Sequence, residues 1–257
     1  PDLLREHIRK CRAATGKPFG VNVPLMYRYA EHIMQVVMEE RVPAVFTSAG
    51  SPKTWTGQLH AAGCKVAHVV SSTKFALKCQ EAGVDAVVAE GFEAGGHNGR
   101  EETATMALVP QVRAAITIPL IAAGGIASAE QVNALLAMGA AGVSVGTALL
   151  TTAESSACDA HRYYAEFGTA CDTVLTRIYN GRLSRVLRNA LVEALDDWEL
   201  MTAGYPAQKA LMGPLDRCAS EVGRNDLVML PLGQSAGRSA YRRTADCVHA
   251  LFPRRAD

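Results

Sequence analysis

The chain of 257 residues is poor in the features that mark several large functional classes. It has no CxxC pair and no cysteine/histidine spacing suited to zinc, so no metal ligand set is expected. P-loop, GxGxxG dinucleotide and GxSxG nucleophile signatures are absent. Lysine and arginine nearly balance aspartate and glutamate, leaving a net charge of +1, and basic residues occur only as short pairs such as Arg242-Arg243 and Arg254-Arg255. Nucleic acid and anionic membrane are therefore not expected as partners. The most apolar stretch, Pro119 to Leu150, is interrupted by Ser128, Glu130, Gln131 and Asn133 and does not read as a membrane span. No signal peptide precedes the first helical stretch, and the chain opens on Pro1, which reads as a processed, trimmed or fragmentary start. Seven scattered cysteines, an odd number, fit a reduced, cytoplasmic compartment.

What is present is a repeated alternation. Short β-rich runs at Pro18–Asn22, Ala44–Ser48, Val66–Val70, Asp85–Ala89, Pro119–Ala123 and Gly142–Gly146 recur roughly every 20 to 33 residues, the period of a strand plus a crossover helix. Most are apolar on both faces, as parallel strands covered by helices must be. Gly63, Gly83 and Gly139 each follow a helical stretch and precede an apolar run, one helix-ending device used three times. Six βα units are too few for a closed eight-stranded barrel and suit an open parallel sheet. After about Thr152 the pattern is helical only, with Arg182–Leu200, Ala207–Val222 and Gln234–Leu251 expected as helices. The expected organisation is a (β/α) barrel unit over 1–152, a helical cap over 153–233, and a final helix within 234–257 that packs back on the barrel.

In parallel α/β folds, ligands sit at the C-terminal ends of the strands. Past the strand Pro119–Ala123 stand Gly124 and Gly125, with Ser128 and Gln131 placed as a capping box for the next helix. One unit later, Ser144-Val145-Gly146-Thr147 repeats the arrangement. Two glycine loops beside helix N-termini make a phosphate cradle. The segment from Glu90 to Gly99 follows another strand and surrounds His97 with glycines, so the backbone passes close to a flat ligand and leaves a neutral imidazole in the cleft as a general base near pH 7. The other six histidines read as structural. Asn22 ends the first strand and can present its amide at the barrel mouth. Glu90 and Glu93 lack the accompanying aromatics of a glycoside site.

Pro18-Phe-Gly-Val-Asn22, Glu93-Ala-Gly-Gly-His97, Pro119-Leu-Ile-Ala-Ala-Gly-Gly-Ile126, Gly146-Thr147, Asn180-Gly-Arg182 and Gly233-Gln-Ser-Ala-Gly237 resemble, in order and spacing, the nitronate monooxygenases, once called 2-nitropropane dioxygenases. Flavin-type enoyl-acyl-carrier-protein reductases share the set. The resemblance implies a TIM (β/α) barrel whose first two strands are absent from this chain, with a helical C-terminal cap. It implies FMN, with Asn22, Glu90, Gly95, Gly125 and Ser144, Val145, Gly146 and Thr147 on the flavin, and Gly125, Gly146 and Thr147 on its phosphate. His97 would face flavin and substrate as base or orienting group. The implied reaction oxidises an alkyl nitronate with O2 to a carbonyl compound and nitrite; the partners are small molecules, and a homodimer is an allowed assembly. Two alternatives stand beside it: an FMN-dependent enoyl-thioester reductase using NAD(P)H, and a catalytically silent flavin-binding remnant. Many family monooxygenases carry Gln at Glu90, where Glu is also seen on the reductase side, and often Gln at Ser144.

Overall fold

A computed structural model describes residues 1–253; the end of the expected 234–257 unit, with the pair Arg254-Arg255, lies outside the described residues. The chain runs α1 (Asp2–Ala14), β1 (Gly20–Pro24), α2 (Ala30–Glu39), β2 (Ala44–Ser48), α3 (Thr56–Ala61), β3 (Lys65–Val70), α4 (Thr73–Glu81), β4 (Ala86–Glu90), β5 (Gly96–His97), α5 (Thr105–Ala115), β6 (Leu120–Ala123), α6 (Ala129–Ala137) and β7 (Gly142–Ser144). It continues through α7 (Asp159–Phe167), β8 (Thr173–Thr176), β9 (Ser184–Leu187), α8 (Ala190–Ala194), α9 (Ala207–Glu221) and α10 (Thr244–Leu251).

The six expected runs form one parallel sheet in the order β1-β2-β3-β4-β6-β7. The sheet curls without closing: β1 and β7 are each paired on one side only, giving an incomplete TIM barrel under a cap of C-terminal helices. Its two faces differ in side-chain size. Val23, Val45, Val66, Val70, Val87 and Leu120 point outward into the main core, which they share with the helices. The inner face carries Ala67, Val88 and Ala123 with Phe46, Val69, Ala86 and Ile121 around them. Alanines on that face leave room above the strand ends, where a fully packed barrel would be filled by larger branched residues.

Gly63, Gly83 and Gly139 stand just past α3, α4 and α6, where the chain turns back into the next strand. Helix α1 is fastened by charge. Arg5, Arg9 and Arg12 share one face at helical spacing and converge on the buried Glu40 carboxylate, with contacts of 2.9, 2.8 and 3.2 Å. Ile8 is buried between them and the core.

Two expectations for the second half are corrected. The region after Thr152 is not helical only: β8 and β9 form an antiparallel hairpin, and β5 adds to it as a three-stranded sheet in the order β5-β9-β8. The helix expected over Arg182–Leu200 is instead strand β9, a separate short helix α8 and a 3-10 turn from Asp196 to Met201. The break is imposed by Asn189, whose side chain accepts from the Val192 backbone N–H at 3.2 Å and starts a new helix there. Within the stretch expected from Gln234, only Thr244–Leu251 is helical; its Cys247 and Leu251 join the core of the parallel sheet. Helix α9 forms where expected. No helix among the described residues is long and apolar enough to cross a membrane.

Candidate active site

Two cavities open over the C-terminal ends of the parallel strands and share Glu90 and Gly95 in their walls. The smaller, of about 420 Å³, is lined by Glu90, Gly95, Gly124, Gly125, Ser144, Val145, Gly146 and Thr147. The larger, of about 820 Å³, is lined by Asn22, Glu90, Gly95 and His97. Every residue singled out from the sequence thus faces one cavity or the other, and Glu90 stands at the junction.

The smaller cavity is built by backbone. Gly124 and Gly125 adopt φ of +100° and +72°, a region that side chains resist. A Cβ at Gly124 would lie 2.7 Å from the Gly91 carbonyl, and one at Gly125 would meet Glu93 at 3.0 Å. No acceptor among the described residues takes the N–H groups of Gly125, Ile126, Gly146 or Thr147. The Thr147 hydroxyl accepts from the Gly233 N–H at 2.9 Å, which leaves its own proton free to donate. Ser128 and Gln131 form the expected capping box at the start of α6, whose N-terminus adds its dipole to the same end. No lysine or arginine lines this cavity, so an anion here would be held by N–H groups, hydroxyls and helix dipole.

The loop after β4 is fixed at both ends. Glu93 Oε2 accepts from the Thr105 backbone N–H and hydroxyl, each at 2.9 Å, and so caps α5. Arg185, buried in the hairpin, donates Nε and Nη2 to the Phe92 carbonyl at 3.1 and 3.0 Å. Asn98 spans the turn through the Phe92 and Ala94 carbonyls. Glu93 is therefore a structural clamp, and it does not pair with Glu90. The Glu90 carboxyl has no hydrogen-bond partner among the described residues, and burial pushes it up to about 7.

His97 projects from β5, where it pairs in register with Ser184 of β9. Its imidazole is held below its ordinary pKa, first by burial and then by the fields of Arg182 and Lys209, with Asn180 acting in the opposite sense. The ring is therefore neutral at pH 7 and able to accept a proton. Among the histidines read as structural, His68 contacts the Thr47 hydroxyl through Nδ1 at 2.6 Å, and burial pushes it down to about 4. His161 Nε2 donates to the Pro231 carbonyl at 2.7 Å beside the smaller cavity.

Sequence reasoning missed part of the lining. Ser235 is buried and opens on the smaller cavity; Tyr27, Arg182, Tyr205 and Lys209 line the larger one. Ser235 and Arg182 fall inside the quoted likenesses, the signal that could have located them. Tyr27, Tyr205 and Lys209 carry none. Among the described residues, no group of three or more His, Cys, Asp or Glu side chains could hold a metal ion.

The nitronate monooxygenase family model matches residues 26–251. The chain belongs to that family. Within it, a probable nitronate monooxygenase of Staphylococcus aureus (strain Newman) is 33% identical over 211 residues, covering 79% of this chain and 59% of the relative. The chain thus spans less than two thirds of that relative's length. FabK from Thermotoga maritima superimposes with a TM-score of 0.88 at 35% identity, over 98% of this chain and 80% of that one. A nitroalkane oxidase from Streptomyces ansochromogenes gives 0.87 at 29% identity, over 97% of this chain and 84% of that one. FMN is the cofactor that goes with nitronate monooxygenase membership. The smaller cavity fits its phosphate: a donor-rich cradle without lysine or arginine that a Cβ would fill.

Proposed function

We propose that this chain is an FMN-dependent oxidoreductase that oxidises alkyl nitronates with O2 to carbonyl compounds and nitrite. The observation that carries the reading is the continuity of the two cavities: a donor-lined phosphate cradle leads, past Glu90 and Gly95, to a neutral His97. Gly125, Gly146 and Thr147 would hold the phosphate, Gly124 and Ser144 would shape the cradle, and Val145, Gly95, Glu90 and Asn22 would flank the rings. FMN, when bound, supplies the electron transfer between substrate and oxygen. His97 positions the substrate over the ring system and accepts a proton at a ring nitrogen when the substrate arrives as the neutral nitroalkane.

A second reading, an FMN-dependent enoyl-thioester reductase using NAD(P)H, is favoured by one residue. Glu90 stands where many family monooxygenases carry Gln and where Glu is also seen on the reductase side, and its half-buried carboxyl opens on both cavities.

The test is the absorbance spectrum of the purified, FMN-reconstituted protein, followed by anaerobic mixing with propyl-2-nitronate. Loss of the oxidised-flavin bands on mixing supports the first reading. Bands that ignore the nitronate and bleach with NAD(P)H, then recover with an enoyl thioester, establish the second. A protein that takes up FMN and answers neither nitronate nor NAD(P)H leaves the silent flavin-binding remnant, and one that takes up no FMN defeats all three.

A further inference from the structure

The wall of the larger cavity carries four cations, Lys78, Arg100, Arg182 and Lys209; Arg182 and Lys209 are the ones whose charges act on His97, and the reaction described so far uses neither. Arg182 follows directly on the turn at Gly181, and its backbone N–H donates to Asn180 Oδ1 at 2.8 Å. Its guanidinium lies over the Tyr205 ring, 5.0 Å from the centroid, and the Tyr205 hydroxyl reaches the Met26 carbonyl at 3.4 Å. Lys209 stands in the first turn of α9. Both line the same cavity as His97, and neither has a carboxylate partner in any salt bridge among the described residues. The cavity's carboxylates stand elsewhere on its wall: Glu101 accepts from the Ser71 hydroxyl at 2.8 Å, and Glu90 is half-buried at the junction with the cradle.

Arg182 and Lys209 border one half-enclosed cleft and oppose a proton on His97. An anion that enters between them is drawn by both charges. The guanidinium, which lies over the Tyr205 ring, carries parallel N–H donors that match two oxygens on a planar group. The ammonium of Lys209 adds a point charge with free rotation. Val69, Met26 and Tyr27, in the same lining, offer apolar surface for a short alkyl substituent.

From this geometry we infer that Arg182 and Lys209 form an oxyanion seat beside His97, which selects a small planar anion over its neutral conjugate acid. The inference rests on the nitronate reading for the identity of the natural occupant, and assigns the specificity to residues of the hairpin and of α9. A nitronate would place its two oxygens toward Arg182 and its carbon toward the flavin position.

Two measurements separate the seat from the reading that motivates it. The first is calorimetric titration of the FMN-loaded protein with isobutyrate, a redox-inert carboxylate close in shape to propyl-2-nitronate. Arg182→Gln and Lys209→Gln are each expected to weaken binding about tenfold or more, the scale of a lost charge-assisted hydrogen bond, with Arg182→Lys recovering part of the loss. The second is steady-state kinetics with propyl-2-nitronate against neutral 2-nitropropane. The same substitutions are expected to raise KM for the nitronate far more than they lower kcat, and to cut the preference for nitronate over nitroalkane about tenfold. Failure of isobutyrate to bind the wild type, or equal binding to wild type and variants, overturns the seat even if nitronate bleaches the flavin. A wild-type protein that ignores nitronate yet binds isobutyrate in an Arg182- and Lys209-dependent way keeps the seat and removes nitronate as its occupant. Far-UV circular dichroism verifies each variant's fold. Lys209 is exposed and its side chain makes no hydrogen bond among the described residues, so Lys209→Gln decides the matter if Arg182→Gln fails to fold.

Discussion

Glu93 Oε2 lies 2.9 Å from both the backbone nitrogen and the hydroxyl of Thr105, and that hydroxyl also lies 2.9 Å from the Gly124 carbonyl. One side chain thus ties the histidine loop, the start of α5 and the first cradle glycine together. Thr105→Val keeps the backbone N–H that Glu93 caps and removes the hydroxyl; it is expected to cost about 1–2 kcal/mol of stability, the scale of a lost buried hydrogen bond, and to weaken FMN binding as well. Denaturant melts and a flavin-fluorescence titration measure the two effects. A variant with lower stability and wild-type flavin affinity would uncouple Thr105 from the cradle.

Gly124→Ala places a Cβ 2.7 Å from the Gly91 carbonyl at a φ of +100°. Both the contact and the backbone oppose it, so the variant should lose about 2 kcal/mol or more and bind FMN poorly. Gly142→Ala, where a Cβ meets open space, is the control and should retain FMN.

Glu90 carries a pH signature. Its carboxyl rises from an ordinary value of 4.5 to about 7 on folding because burial penalises the charge. The folded state therefore holds this proton more tightly than the unfolded state. The resulting stability is fully present below pH 4.5 and is lost as pH climbs through 7. Glu90→Gln should remove that decline and be the more stable protein at pH 8, by an amount on the order of 3 kcal/mol. Chemical melts of both proteins at pH 5 and pH 8 give the comparison; parallel pH dependences would show that the carboxyl is not the source.

His97→Ala is expected to retain FMN and to lower turnover of neutral nitroalkane about 100-fold, the scale of a lost general base. Because burial and the two neighbouring cations keep the imidazole below its ordinary 6.5, wild-type turnover should hold steady from pH 8 to 7. It should fall only as His97 protonates, below pH 6.5. An acid limb unaltered in the alanine variant would assign that ionisation to another group.

Glu40 predicts the opposite sign. Hydrogen bonds from Arg9 and then Arg5 hold its carboxylate below 4.5, so its contribution is present above that value and is lost as pH falls through the depressed pKa. Glu40→Gln should lower Tm at pH 7 and converge with the wild type in acid.

The parallel sheet was legible because its strands are apolar on both faces and because glycines end three of the intervening helices. The glycine loops that line the smaller cavity stood out for a related reason: Gly124, Gly125 and Gly146 follow the ends of β6 and β7, where parallel folds open their clefts. The hairpin was not. Leu183, Val186, Leu187 and Leu191 recur at helical spacing, and only tertiary burial of all four residues of β9 reveals a strand. Arg182 and Lys209 were hidden for a different reason. An exposed cation on a loop or a helix reads as solvated surface until the fold shows which cleft it borders.

The two-residue strand that carries His97 is stitched to the cap hairpin and to no strand of the parallel sheet. The proposed base and the proposed cofactor cradle are therefore anchored to different parts of the molecule. Substitutions in Thr173–Leu187, remote in sequence from residue 97, act on the imidazole as a lever acts on its short arm. Selection for altered substrate use would find its adjustments there, at the fulcrum, while the glycine cradle stays untouched.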